Sequence, residues 1–173
     1  MKIAVNNQLH LSEFRPSDKP ALIECLNDRK IYDATFRIPF PYTDAEAFLA
    51  RVAQAADQHG QPAHFAIRTS DDALIGGCGL NELEIGKSHR AEIGYWLAKP
   101  YWGRGFMSAV VSRLCQHAFE EFGLVKIIAH VVTHNPASAR VLEKCGFVQE
   151  GLLRKHFLKD GQFIDVWLFA MLR

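Results

Sequence analysis

The chain of 173 residues carries 20 Lys+Arg against 19 Asp+Glu, a formal net charge of +1, and is 49% hydrophobic and 23% charged. These values describe one globular domain, expected to span residues 1–173, and argue against disorder, a collagen-like repeat or a disulfide scaffold. A chain of this length buries roughly 70% of its unfolded surface without needing a metal or crosslink, and its near-zero charge gives no footing for nucleic-acid binding.

The N-terminus, Met1 to Asn7, has no apolar stretch suited to a signal peptide, and the longest apolar run, Val166 to Leu172, is too short to span a membrane. A first strand is expected near Leu9 to Arg15. Pro16-Ser17-Asp18 then opens a helix that carries Leu22, Cys25 and Leu26 on one side and runs to about Arg29. Tyr32 to Tyr42, rich in aromatics and proline, reads as a packed loop. Its Tyr32, Phe36, Phe40 and Tyr42 suit either the wall of an acceptor pocket or packing beneath the loop. Thr43 and Glu46 have capping-box spacing, and Ala45, Phe48, Leu49, Val52, Ala53 and Ala56 recur with helical period until His59-Gly60.

Strands follow at about 63–69, 73–83 and 90–97, joined by turns at Ser70-Asp71-Asp72 and Gly86-Lys87-Ser88. A long helix from about Gly105 to Phe122 carries a continuous apolar stripe that reads as core. The buried strand Lys126 to Val132 comes next, then Asn135-Pro136 as N-cap and first residue of a helix ending at Cys145, with Gly146 past its end. Two last strands flank the hairpin signal Asp160-Gly161. The order implies an α/β (α+β) fold: a mixed, mostly antiparallel sheet of about seven strands with about four helices, its one parallel crossover running through the long helix. Cysteines 25, 78, 115 and 145 form no Cys-x-x-Cys pair, and three lie in apolar segments, which points to buried free thiols in a reducing compartment.

The richest passage is Glu92-Ile93-Gly94-Tyr95-Trp96-Leu97, followed by Tyr101-Trp102-Gly103-Arg104-Gly105-Phe106-Met107. A strand leads through a glycine-bearing turn into the start of the longest helix, where unpaired N–H groups and the helix dipole suit a phosphate or pyrophosphate. A tight turn with glycines for steric reasons alone explains the same residues equally well. Gly103-Arg104-Gly105-Phe106-Met107-Ser108 half-matches the dinucleotide fingerprint, but Ser108 stands for its third glycine. The next strand ends Val131-Val132-Thr133, without the acid expected about 20 residues on. A dinucleotide oxidoreductase is therefore the weakest of the alternatives.

The run from Glu92 to Met107 resembles the acetyl-CoA-binding motif of the GNAT N-acetyltransferases, and the wording E-I-G-Y-W-L with Y-W-G-x-G resembles the branch of the ribosomal-protein alanine N-acetyltransferases. Asn135-Pro136-Ala137-Ser138, Glu143-Lys144-Cys145-Gly146-Phe147, and Glu150-Gly151 with Arg154, Asp160-Gly161 and Asp165-Val166 extend the likeness along most of the chain. The resemblance implies a sheet splayed between 90–97 and 126–132. It also implies acetyl-CoA as co-substrate, with the pyrophosphate on the N–H groups of Gly103, Arg104, Gly105, Phe106 and Met107 and with Trp102 also among the cofactor-binding residues. The pantetheine would lie along Gly94, Tyr95, Trp96 and Leu97, with Asn135 bonding it and Ser138 near the sulfur.

The implied reaction is direct attack of a neutral amine on the thioester, a backbone N–H near Leu97 serving the developing charge. Glu92 matches the position of a strand glutamate that serves as base in other GNAT enzymes, and alternation puts Glu92, Gly94 and Trp96 on one face of the strand. Burial raises a carboxylate's pKa toward the value such a base needs. A structural glutamate paired with an Arg or His of neighbouring strands accounts for it equally well. Two departures from the family pattern stand out. Leu142 occupies the place of a tyrosine acid, which leaves Ser138 as the nearby hydroxyl, and Leu153 to Phe157 offers no carboxylate. His130 and His134 straddle a strand end with no completing ligand, so no metal is expected. The resemblance implies a cytoplasmic N-acetyltransferase acting on a peptide N-terminus or a small-molecule amine, without nucleic acid or membrane, and as a possible homodimer. The alternative is a non-catalytic acyl-CoA-binding module.

Overall fold

The computed structural model describes residues 1–84 and 86–173. Its eight strands form one sheet in the order β1-β2-β3-β4-β5-β6-β8-β7. In chain order they are β1 Lys2–Ala4, β2 Leu9–Ser12, β3 His64–Thr69, β4 Leu74–Asn81, β5 Arg90–Leu97, β6 Lys126–Val132, β7 Val148–Lys159 and β8 Gln162–Leu172. The helices are α1 Lys19–Leu26, α2 Arg29–Asp33, α3 Ala45–His59, α4 Phe106–Glu121 and α5 Pro136–Lys144, with single 3-10 turns at Pro16–Asp18 and Lys99–Tyr101.

Among the described residues there are eight strands and five helices, in keeping with the expected seven or so strands and four or so helices. The additional strand, β1, has only three residues, of which Ile3 alone is buried, so it carries no readable alternation. The additional helix, α2, takes in Tyr32 from the stretch expected to be loop. It has five residues and is started by Asp28, whose side chain accepts from the Lys30 N–H. A helix so short has no period to detect. The first strand stops at Ser12 and β4 at Asn81, each earlier than expected. The capping box at Thr43 and Glu46 does not form: Asp44 is the N-cap and makes no side-chain cap bond, while Glu46 accepts from Lys19 at 2.6 Å. The later elements fall where their signals put them. Asp160 and Gly161 both take positive φ in the β7–β8 turn, as a two-residue hairpin requires.

The sheet separates two apolar layers. On one face α4 presses Val110, Val111, Leu114 and Ala118, all fully buried, against Ile93, Leu97, Ile127, Ala129 and Val131 of β5 and β6. On the other, α1 and the segment before α3 gather Leu22, Leu26, Ile31, Tyr42 and Ala45, with Trp96 of β5 packed on them. Each of the buried Val, Leu and Ile side chains contributes on the order of 1.5–3 kcal/mol. A buried ion pair locks the first turn to the sheet. The Arg68 guanidinium donates to both Asp18 oxygens, at 2.9 and 2.7 Å, and to Ser12 Oγ at 2.7 Å.

What positions the site is the junction of β5 and β6, the sheet's parallel pair. Arg90 pairs with Lys126, Ala91 with Ile127 and Glu92 with Ile128, and the ladder stops there, although β5 runs on to Leu97 and β6 to Val132. The expected splay is therefore present and begins immediately after Glu92. Beyond it, the backbone edge of β5 that faces β6 has no strand to pair with.

Candidate active site

The splay opens into a cavity of about 770 Å³, within the range of small-molecule and cofactor sites. Glu92, Gly94, Tyr95, Trp96, Leu97, Trp102, Gly103, Arg104, Gly105, Phe106, Met107, Asn135 and Ser138 all line it. Residues from three separate stretches of sequence, 92–97, 102–107 and 135–138, thus face one space.

At one end stands the start of α4. Gly103 and Gly105 have φ of +73° and +75°, and a Cβ at either would meet nothing within 4 Å. Their backbone conformation calls for glycine, and they border open space. Gly105 is the N-cap, without a side-chain cap bond, and no acidic residue lies in the first turn. The first N–H groups of a 16-residue helix are thus left to an anion at the positive end of the dipole. Trp102 Nε1 donates to the Leu97 carbonyl at 2.6 Å, closing the connection between β5 and this turn.

Asn135 serves as the N-cap of α5: its Oδ1 accepts from the Ser138 N–H at 3.1 Å, while its Nδ2 donates to the Ala34 carbonyl at 3.0 Å. One N–H of the amide remains for a ligand. Ser138 Oγ lies 2.9 Å from the hydroxyl of Tyr95. Burial holds the Tyr95 hydroxyl far above the usual tyrosine range, so the phenol stays protonated. Leu142, at the place of the family's tyrosine, is fully buried in the main core. A phenol nonetheless reaches this end of the cavity, from β5 instead of α5.

Glu92 is 2% exposed. Its Oε2 accepts from Arg37 Nη2 at 2.6 Å, and its Oε1 lies 2.9 Å from His130 Nδ1. An Arg or His of a neighbouring strand was one expected partner for Glu92, and His130 of β6 is such a residue, whereas Arg37 belongs to no strand. The strand pattern contains the signal for His130: Glu92 and Ile128 are the last pair, and His130, two residues on, shares their face. Arg37 belongs to the stretch between α2 and α3, whose position no periodicity reveals. That stretch is tied down at several points. The Lys159 ammonium donates to the carbonyls of Tyr32 and Thr35, His134 Nε2 donates to the Asp33 carbonyl at 2.7 Å, and Phe36 stacks on Phe157 with centroids 3.8 Å apart. Of the four aromatics flagged there, Phe36 and Tyr42 line the cavity. Tyr32 and Phe40 pair with each other at 5.7 Å, each with the Arg29 guanidinium over its ring.

The floor of this end is Trp96, which lies over β4. A Cβ on Gly77 would sit 2.5 Å from Trp96 Nε1, so this strand glycine makes room for the indole. The cysteines take no visible part in the chemistry. All four are free, and burial pushes the Cys115 thiol up to about 12 and the Cys78 thiol higher still. Among the described residues, no group of three His, Cys, Asp or Glu is arranged to hold a metal ion, and no helix is long and apolar enough to cross a membrane.

Comparison with known proteins identifies the family. Residues 8–148 match the family model described as an acetyltransferase (GNAT) domain. The chain is 30% identical over 174 residues to the uncharacterized N-acetyltransferase p20 of Bacillus licheniformis, covering all of this chain and 97% of that one. It is 35% identical over 102 residues to the ribosomal-protein-serine acetyltransferase of Escherichia coli, covering 58% and 55%. Among solved structures, spermidine N-acetyltransferase from Vibrio cholerae in complex with CoA and spermine superposes with a TM-score of 0.77 at 29% identity, covering 96% of each chain. The chain belongs to the GNAT family and is an N-acetyltransferase.

Proposed function

We propose that the chain transfers the acetyl group of acetyl-CoA to a primary amine carried on an apolar group, as at a peptide N-terminus or on a small molecule. The observation that carries this reading is continuity. One cavity joins the uncapped start of α4, the unpaired edge of β5 and the Glu92 carboxylate.

The backbone N–H groups from Gly103 to Met107 would hold the pyrophosphate, as helix starts hold anions generally. The free edge of β5 from Gly94 to Leu97 offers hydrogen bonds to the pantetheine amides, with the remaining Asn135 N–H beside them. When bound, acetyl-CoA supplies an acetyl group activated as a thioester. The amine's proton leaves toward the Glu92 end of the cavity. At the other end Ser138 donates a hydrogen bond to the departing sulfur. That proton is free to point into the cavity when Tyr95 donates its own to Ser138 Oγ. A phenol held so far above its ordinary range gives hydrogen-bonding support without surrendering its proton.

The acceptor side favours an apolar amine over a polyamine. Its walls include Phe36, Ile38, Phe48, Val52 and Trp96, and its cations are Arg37 and Arg51. Its acids are Asp44 and Glu92, and Arg37 already occupies one Glu92 oxygen. A polyamine needs uncommitted carboxylates along its length. Thiol release from acetyl-CoA, measured against N-terminal peptides, aromatic and aliphatic monoamines and spermidine, tests the reading. Turnover of apolar amines or peptides, with spermidine at least about tenfold poorer, is expected. Spermidine as the best substrate overturns the acceptor class, and CoA binding without turnover of any amine overturns the reaction.

A further inference from the structure

We propose that His130, through Nε2, accepts the proton of the attacking amine, and that Glu92 is the positioning residue that sets its tautomer. The inference rests on the acetyl-transfer reading above and assigns the atom that meets the substrate.

Glu92 is poorly placed to touch an amine. Its side chain is 3% exposed, Arg37 covers one oxygen and His130 the other. His130 stands in front of it. Its residue is the first on the shared face of β6 beyond the last β5–β6 pair, so it occupies the opening of the splay. It lines the cavity, and its side chain is 11% exposed. Nε2 makes no hydrogen bond among the described residues. It is also not one of the solvent-excluded polar atoms without a partner, which are Arg113 Nη1 and His117 Nε2. It therefore meets the open cavity.

The tautomer follows from donor and acceptor inventory. An ionised carboxylate only accepts and a guanidinium only donates. Arg37 donating to Oε2 leaves Oε1 to accept from Nδ1–H, so Nε2 presents its lone pair. The groups that face the imidazole are few. Glu92 comes from β5, with Arg37 behind it from the α2–α3 stretch. From β7 come the His156 ring, stacked at 5.1 Å, and the edge of Phe157 at 5.6 Å. On β8 the residue paired with His130 is Leu168. An imidazolium formed here sits against the Glu92 carboxylate, which stabilises it as a buried acid does in a catalytic triad.

In the transfer, the amine lone pair forms the C–N bond as the C–S bond breaks and its electron pair leaves with sulfur. The nitrogen's proton goes to His130 Nε2 and from there to water. The sulfur, met by the Ser138 hydroxyl, takes its proton from water.

Three variants test this. His130→Asn keeps an amide nitrogen near the place of Nδ1, and with it the bond to Glu92, but has nothing at Nε2. Its kcat/KM for the amine is expected to fall about 10²- to 10³-fold, the usual contribution of a general base, with CoA binding and Tm close to wild type. His130→Ala leaves a ring-sized space, and added imidazole should restore at least about tenfold of its lost rate. In Glu92→Gln the amide must turn its oxygen to Arg37 and its NH2 to Nδ1. Nε2 then carries the proton, and activity should fall without rescue by imidazole, because the ring is still in place. A His130→Asn protein that retains more than about a third of wild-type turnover overturns the inference, since a general base contributes far more than that. A folded His130→Ala protein that imidazole does not revive also overturns it. Wild-type chain that binds CoA but acetylates no amine overturns the acetyl-transfer reading first, and the inference with it.

Discussion

Arg37 Nη2 donates to Glu92 Oε2 across 2.6 Å, joining a half-exposed residue between α2 and α3 to a carboxylate whose side chain is 3% exposed. The contact ties an irregular segment to the point where the sheet splits. It also makes Arg37 answerable for a buried charge. Arg37→Met should leave Glu92 with His130 alone and destabilise the fold by about 1–3 kcal/mol, or about 2–12 °C in Tm for a chain of this size. Adding Glu92→Met should recover most of that loss, because an apolar pair carries no stranded charge. Thermal denaturation of the two single variants and the double variant measures the cycle.

The start of α4 offers an experiment in which stability and ligand affinity move in opposite directions. Ser108, in the first turn, lines the cavity, and that turn has no acidic residue. Ser108→Asp should stabilise the apo protein by about 0.3–1 kcal/mol through the helix dipole. The same charge repels a pyrophosphate, so calorimetry should show CoA binding weakened at least about tenfold, which is about 1.4 kcal/mol. Equal CoA affinity in both proteins would place the pyrophosphate elsewhere.

Trp96 depends on the absence of a side chain across the strand. Gly77→Ala puts a methyl 2.5 Å from Trp96 Nε1, so the indole must move. A loss of about 1–3 kcal/mol is expected from the overpacking, with a shift in tryptophan emission and a raised KM for the amine. KM for acetyl-CoA should change little. A silent substitution would mean that the indole is free to swing aside.

Burial raises the hydroxyl of Tyr42 to about 12 and that of Tyr95 further, in each case mainly through desolvation of the charged form. An unfolded tyrosine ionises near 10. The stabilisation from keeping these phenols protonated is complete below that value and is lost as pH climbs above it toward the folded values. Absorbance titration of the folded protein should therefore find two of the four tyrosines silent near pH 10. They should ionise only as the protein unfolds, and Tyr95→Phe and Tyr42→Phe should each remove one late component.

Sequence signals were legible where they are local and repeated. The stripe of α4, the Asn135-Pro136 cap, the Asp160-Gly161 hairpin and the glycine turn before Phe106 locate the α4 half of the cavity from sequence alone. The splay came from family resemblance, and no residue announces it. It exists because the β5–β6 ladder stops at Glu92. The half around Glu92 was less legible for a physical reason. Arg37 reaches Glu92 across 55 positions, and Lys159 grips the Tyr32 and Thr35 carbonyls across more than 120. Such contacts leave no spacing pattern. His130 could have been tied to Glu92 by alternation once the β5–β6 register was known, and Tyr95 to Ser138 only from the fold itself.

The most direct measurement is mass-spectrometric detection of the N-acetylated product when the protein, acetyl-CoA and an apolar amine or N-terminal peptide are incubated together, with thiol release followed in parallel. The expected result is one acetyl group per amine, one thiol per acetyl group, and near-complete loss of both in His130→Asn. Hydrolysis of acetyl-CoA without acetylated amine, or no rise in Tm with CoA in excess, would contradict acetyl transfer at the β5–β6 splay.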